Sequence, residues 1–528
     1  MKKLLSVLLA AVMLLAMAGV AMAAEATAGI SFANKQESET VTAYKVIEYA
    51  YESTTDQYVS ADWVKSVKSW IASNYGYEIP VNNVASVLAA HSVSESSFYE
   101  GMYKNAGLTA ETDLETLRAG SYICLISGGT TVHQLQLVSL MPKQDDKGNW
   151  SLEVKGENDG ELNATDKASR PQLDKTMKVG DKDTVQDYDT VAIGDTVTFD
   201  IYASVPSYPD DADNTTYTIT DTMANGLTNN RDVKVTLISN GNELSLSTDY
   251  TITYHSGDQG FTINFVYASI KSQAIDTVSD WNPNAQGEYQ GRVDTVENPN
   301  AITKGIHIQY TATINEDVEI ESDNNTNEAR LEYSNNPYGD SVSHIKDDVK
   351  VYTYGLKVIK VDGNDETKYL AGAKFTIKKI GSTDNLWFKG DAQNPGKYTV
   401  VKAETEGAVQ EIETPDGEPE GRIIGRIEIK GLDVGKYELQ ETQAPANYNK
   451  LMKPEPFTIT TDADTHRLIE EGTVSAYNEK PIKNYSGITI PSTGGMGTTI
   501  FMVAGIAVMA CAVVALMVVL KRQKHSEG

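Results

Sequence analysis

Thr196-Val197-Thr198-Phe199-Asp200-Ile201-Tyr202-Ala203 decides the fold. Val197, Phe199, Ile201 and Ala203 alternate with Thr196, Thr198, Asp200 and Tyr202. Successive side chains of an extended chain point to opposite faces, so one face of this segment is apolar and the other is mostly polar. That is the pattern of a half-buried strand. Similar runs recur at 215–221, 305–313, 327–333, 372–378, 423–430 and 435–441, separated by Asn, Asp and Gly clusters that turn the chain. From about 171 to 484 the chain reads as all-β, most simply as two sandwich modules in tandem.

Residues before this region have a different period. Trp63, Val67, Trp70 and Ile71 fall at i, i+4, i+7 and i+8, the spacing of an amphipathic helix, and a second helix is expected around 81–106. The expected class is mainly β: tandem Ig-like sandwich modules, with helices inserted in the N-terminal one. Composition places the boundaries. Residues 1–23 carry Lys2, Lys3, an apolar core and Ala21-Met22-Ala23, the order of a cleavable secretory signal. The modules are expected at 24–165, 172–352 and 353–484, with a polar, turn-rich linker at 166–171. A short stalk follows at 485–499. The apolar run 500–520 is long enough to span a bilayer, and the tail 521–528 holds Lys521, Arg522 and Lys524, a cytoplasmic flank.

The formal net charge is -28. Removing 1–23 and 494–528 takes away two net positive charges each and moves it to -32. So acidic a chain is a poor partner for nucleic acid or anionic lipid. Its two cysteines are Cys124, expected on a buried strand, and Cys511 in the apolar run, so the exported part has no internal disulfide. A different covalent tie is worth seeking. The chain holds no His-Glu-x-x-His, no Gly-rich phosphate loop and no Cys-x-x-Cys, and its seven histidines show no ligand spacing. No metal site, cofactor or hydrolytic triad is expected.

Strand parity exposes polar residues on apolar faces. Leu173, Lys175 and Met177 share one face, as do Tyr217, Ile219 and Asp221, and Asn327, Ala329, Leu331 and Tyr333. The third module repeats the order: Lys360 with Leu356 and Val358, Glu441 with Tyr437 and Leu439, and Asn478 with Val474 and Ala476. Parity disfavours the rival lysines Lys178 and Lys357. Lysine and carboxylates are almost never fully buried unless paired. Desolvation favours their neutral forms, and a neutral lysine amine is a nucleophile. A protonated acid can donate to the asparagine carbonyl and stabilise the developing oxyanion. Attack releases ammonia and leaves an amide between Lys Nζ and Asn Cγ. The expected bonds are Lys175–Asn327 with Asp221 as the acid, and Lys360–Asn478 with Glu441.

Several motifs carry a family resemblance. Ile490-Pro491-Ser492-Thr493-Gly494, followed by the apolar run and basic tail, resembles the LPXTG cell-wall sorting signal of Gram-positive surface proteins, with Ile490 in place of Leu. Leu356-Lys357-Val358-Ile359-Lys360 and Leu370-Ala371-Gly372-Ala373 look like the opening of a Cna-B-type domain, and Tyr437-Glu438-Leu439-Gln440-Glu441-Thr442 matches the pilin E-box. Asp221-Thr222-Met223-Ala224-Asn225-Gly226 and Leu331-Glu332-Tyr333-Ser334-Asn335 look like a Cna-A-type domain. The chain is similar to major (backbone) pilins of Gram-positive bacteria. The resemblance implies that a pilus sortase cuts after Thr493 and joins it to a lysine of the next identical subunit. Lys167, in Ala164-Thr165-Asp166-Lys167-Ala168-Ser169-Arg170-Pro171, takes that place, although the family's Tyr, Pro and Asn are absent. Its polar surroundings lead us to expect an exposed amine. Peptidoglycan, minor pilins and a host receptor are further implied partners. The alternative is a monomeric sortase-anchored adhesin on a Cna-type stalk. A wall-anchored enzyme would need a catalytic constellation that the sequence does not display.

Overall fold

The computed structural model describes residues 25–76, 78–156, 161–180, 186–275, 302, 304–417, 424–462, 466, 468, 477–487, 507–514 and 516–517. The signal segment, the motif 490–494 and most of the run 500–520 lie outside these residues. No helix among the described residues is long and apolar enough to cross a membrane.

The described chain is mostly β, as the alternation requires. It divides into two compact units, one formed by Met1–Tyr354 with Gly431–Val434 and Ala463–Arg467, the other by the remainder. In the first unit, β1 (Thr40–Glu52), β2 (Gln57–Trp63), β3 (Gly120–Ser127), β4 (Gln136–Gln144) and β5 (Trp150–Lys155) form an antiparallel sheet in the order β2-β1-β3-β4-β5. Cys124 is fully buried on β3. The first expected helix is α1 (Lys65–Tyr75), which buries Val67 and Ile71, while Trp63 ends β2 instead. The expected 81–106 helix is broken into a 3₁₀ turn (Val81–Asn83), α2 (Val84–His91) and α3 (Glu95–Asn105). Ser92 takes a left-handed conformation that stops α2, and the Ser94 hydroxyl accepts from Ser97 N at 3.0 Å to cap α3.

The second part of this unit has two large sheets among the described residues. One contains β6 (Leu173–Val179), β7 (Thr196–Ala203) and, after β8 (Tyr217–Met223) and β9 (Gly260–Phe265), β10 (Ile306–Ile314). The other pairs β8 with β9 and with β11 (Thr326–Ser334), which also pairs with β12 (Val342–Tyr352). Register fixes what meets in the core. Lys175 lies opposite Ile201, which lies opposite Ile308; Met177, Phe199 and Tyr310 form the next row. On the facing sheet Asp221, Ala329 and Asp347 are in line, and Met223, Asn327 and Val349 form the adjacent row.

This part is joined to the preceding sheet by polar contacts. Tyr333 OH donates to Thr130 O at 2.6 Å, Asn335 Nδ2 to Gly129 O at 3.0 Å and Arg170 Nε to Thr131 Oγ1 at 3.1 Å. The segment expected as a linker is therefore packed: Ala168–Ser169 is a short strand pairing with Val132–His133.

The second unit also has two sheets. β13 (Tyr354–Asp362) pairs in parallel with the last strand, β17 (Tyr477–Asn484), and neighbours β15 (Arg426–Leu432). The other sheet is built on β14 (Lys374–Lys379) and β16 (Gly435–Gln443).

Candidate functional site

In the first unit, Lys175 and Tyr310 come from one sheet, and Asp221 and Asn327 from the other. All four are essentially inaccessible: Lys175 and Asn327 are 1% exposed, Asp221 0% and Tyr310 1%. The Lys175 amine donates to Asp221 Oδ2 and, at 2.8 Å, to Tyr310 OH. Tyr310 OH donates to Asp221 Oδ2 and accepts from Asn327 Nδ2 at 2.9 Å. The lysine stem passes the rings of Phe199 and Tyr310, with Nζ 5.4 and 5.5 Å from their centroids. Burial pushes the Lys175 amine below its ordinary pKa, against the opposing pull of Asp221. Asp347, in line with Asp221 on β12, accepts the Lys175 backbone N–H at 2.6 Å, and burial pushes its carboxyl up to about 6. Asp221 Oδ1 and Asn327 Oδ1 are buried without a hydrogen-bond partner among the described residues.

The three residues expected in this module thus stand together. Tyr310 and Asp347 were not anticipated. Tyr310 shares a face with Ile306, Ile308 and Ala312 and reads as an ordinary core aromatic. Asp347 shares parity with Ile345 and Val349, a signal of the kind that singled out Asp221.

In the second unit Lys360 and Glu441 are both 0% exposed. Lys360 Nζ donates to Ile482 O at 2.8 Å, and burial pushes its amine down to about 8, opposed by the Glu441 charge. The asparagine beside the acid is Asn484, 1% exposed, whose Nδ2 donates to Glu441 Oε2 at 3.0 Å and to Asn449 O at 2.7 Å. Leu451 N also donates to Glu441 Oε2, at 2.7 Å. This corrects the expectation for Asn478. In the parallel register Lys360 lies opposite Ile482 and Asn484 opposite Asp362, whereas Asn478 lies opposite Leu356. Leu356 is four residues from Lys360, about 13 Å along a strand, beyond the reach of the amine. Asn478 and Asn484 have the same parity, so alternation alone could not choose between them. The orphaned atoms repeat the first site: Glu441 Oε1 and Asn484 Oδ1 are buried without a partner among the described residues.

Lys167 belongs to neither cluster. It is half-buried, holds a left-handed φ of 50° at the end of a turn, and its carbonyl accepts from Gln134 N at 3.1 Å. With Ser94, Glu95, Tyr99, Glu100 and Leu135 it lines a cleft of about 320 Å³. Burial and the neighbouring Asp211 push the Glu100 carboxyl up to about 7. The lysine of a freely solvated linker is therefore not what the fold presents.

Comparison with known proteins agrees with this architecture. Residues 355–472 match the SpaA prealbumin-like fold domain. Residues 193–282 match the Cna-B-like domain of Gram-positive pilin backbone subunit 2, where the motifs led us to expect a Cna-A-type domain. The chain is 22% identical over 549 residues to the trypsin-resistant surface T6 protein of Streptococcus pyogenes serotype M6, covering 93% of this chain and 95% of that one. The solved T6 backbone pilin of serotype M6 Streptococcus pyogenes, a modular three-domain structure, has the same fold. It matches 89% of this chain and 100% of its own at a TM-score of 0.54 and 16% identity. The 35 kDa C-terminal fragment of the major pilin GBS80 of Streptococcus agalactiae aligns over 60% of this chain and 100% of its own, with a TM-score of 0.43 and 24% identity. Two regions, 193–282 and 355–472, thus match pilin-type domain models, and the chain is similar along nearly its whole length to the T6 protein.

Proposed function

We propose that this chain is the structural backbone subunit of a covalently polymerised, sortase-assembled surface pilus, and that it cross-links itself internally. The carrying observation is the repeated cluster of a buried lysine, a buried acid and a buried asparagine, each with one unpartnered oxygen on the acid and one on the amide. An orphaned buried acceptor costs on the order of 1–3 kcal/mol. A proton on the acid turns one of these acceptors into a donor, for which the orphaned amide oxygen of the same cluster is an acceptor.

The chemistry follows. A proton passes from the Lys175 ammonium to Asp221, leaving a neutral amine and a neutral acid, forms that a dry interior favours. The acid donates to Asn327 Oδ1 and polarises the amide. Nζ attacks Cγ, the tetrahedral intermediate collapses, and Nδ2 leaves as ammonia. Lys360, Glu441 and Asn484 support the same sequence of steps. The first bond joins the facing sheets of its module, and the second joins the first strand of its module to the last. Pulling then loads a covalent bridge rather than strand hydrogen bonds.

Polymerisation uses other residues. A pilus sortase cuts after Thr493 and transfers the threonyl carbonyl to Lys167 of the next identical subunit; the last subunit is passed to peptidoglycan. The relatives' description as backbone pilins supports this reading, as does the Ile490-to-Gly494 motif. The test is a denaturing gel of surface extracts. The native chain should give a ladder of high-mass bands, and Lys167→Ala should collapse it to monomer. A ladder that survives Lys167→Ala moves the acceptor elsewhere, and a native chain that gives only monomer indicates an adhesin rather than a polymer.

A further inference from the structure

We propose that Tyr310 is a catalytic residue of the Lys175–Asn327 condensation, shuttling the proton that the attacking amine must lose to the amide nitrogen that must leave. The inference rests on the reading that this amide forms. Condensation has a proton-transfer problem that Asp221 alone does not solve. On attack Nζ carries one proton too many, while Nδ2 cannot depart until it gains one. Asp221 is engaged at the oxygen of the amide. The Tyr310 hydroxyl stands between the two nitrogens, 2.8 Å from Lys175 Nζ and 2.9 Å from Asn327 Nδ2, and both N–H groups point at its oxygen.

In the intermediate the hydroxyl takes a proton from Nζ on its lone pair and gives its own O–H proton to Nδ2. The Nζ–Cγ bond forms, the Cγ–Nδ2 bond breaks, and ammonia departs. Tyr310 ends as the phenol it began as, so no other reactant is required. Before reaction the same O–H is held by Asp221 Oδ2. Once Asp221 is protonated, that acceptor weakens and the phenol proton is free to turn towards Nδ2. Burial keeps the hydroxyl protonated, well above its ordinary pKa, so it acts as a relay and not as a standing base. The ring is oriented without help from the hydroxyl, stacked on Phe199 at 5.4 Å and edge-on to Phe261 at 5.0 Å. In the second unit Lys360 Nζ meets the Ile482 carbonyl instead. The relay is therefore a property of one module, and the other serves as an internal control.

The test follows both bonds during cell-free synthesis of the full chain, with trypsin digestion at intervals and quantification of each cross-linked peptide. Tyr310→Phe should slow the Lys175–Asn327 peptide by about 100-fold, a typical contribution of a positioned proton-transfer group. The Lys360 peptide should keep its rate. Asn327→Ala, which cannot form the bond, supplies the melting profile of a folded but unlinked module, against which the Phe variant is compared. A Phe variant that links within about twofold of the parent rate overturns the proposal. If the Phe variant does not fold, Tyr310→His decides. A linked peptide supports the relay, because imidazole can both take and give a proton, and a folded His chain with no link overturns it. A parent chain lacking the Lys175–Asn327 peptide would remove the underlying reading instead.

Discussion

Asn327→Ala isolates the cross-link proposed for the first unit. The substitution leaves Lys175, Asp221 and Tyr310 in place, with Lys175 still bonded to both. It removes the electrophile, so no amide can form. The bond closes a loop of roughly 150 residues between Lys175 and Asn327, and the chain-entropy estimate for a loop of that length is about 5 kcal/mol at 25 °C. In a domain of this size each kcal/mol shifts the melting midpoint by about 2–4 °C, so the first unit should melt roughly 10–20 °C lower. The second unit, whose lysine and asparagine are untouched, should keep its transition. Scanning calorimetry of parent and variant reads both. A first-unit midpoint within about 2 °C of the parent's would refute the reasoning.

Three further outcomes follow. Asn484→Ala should abolish the second bond while Asn478→Ala keeps it, read as the presence or absence of the mass deficit of one ammonia, about 17 Da. In the unlinked Asn484→Ala chain, Lys360 titrates near 8 folded against an ordinary 10.5. Between those values the unfolded state binds the extra proton, so second-unit stability should rise as pH climbs from about 8 to 10.5, and the rise should vanish in Asn484→Ala/Lys360→Met. Urea titrations at stepped pH measure this. Finally, Gly260 holds φ 115°, and an added Cβ would run into the Asp221 carbonyl. Gly260→Ala should therefore cost about 2–4 kcal/mol and lower the yield of the first bond, read by melting and by peptide mapping.

Much of this was legible because strand alternation is a local property. The segment Thr196–Ala203 appears as written, and the runs at 215–221, 305–313 and 327–333 became β8, β10 and β11 with shifts of one or two residues at their ends. Lys175, Asp221 and Asn327 were visible because charge on an apolar face needs a partner, and the facing sheet supplies it. Register was not legible. Asn478 and Asn484 look alike on parity, and only the pairing of β17 with β13 separates them. Tyr310 was hidden for the opposite reason: a tyrosine on an apolar face raises no alarm, and its hydroxyl matters only because two nitrogens from different strands converge on it. The turn at Lys167 is polar in composition yet packed, because its neighbours Ala168 and Ser169 pair with a strand from another part of the chain.

Both proposed amides are open to one measurement, the intact mass of the full chain purified in detergent, with tandem mass spectrometry of its tryptic peptides. Two bonds remove two molecules of ammonia, so the mass should fall below that of the processed sequence by about 34 Da. The linked peptides should join Lys175 to Asn327 and Lys360 to Asn484. A mass equal to the plain sequence, with Lys175 and Lys360 recovered in unmodified peptides, would contradict the account.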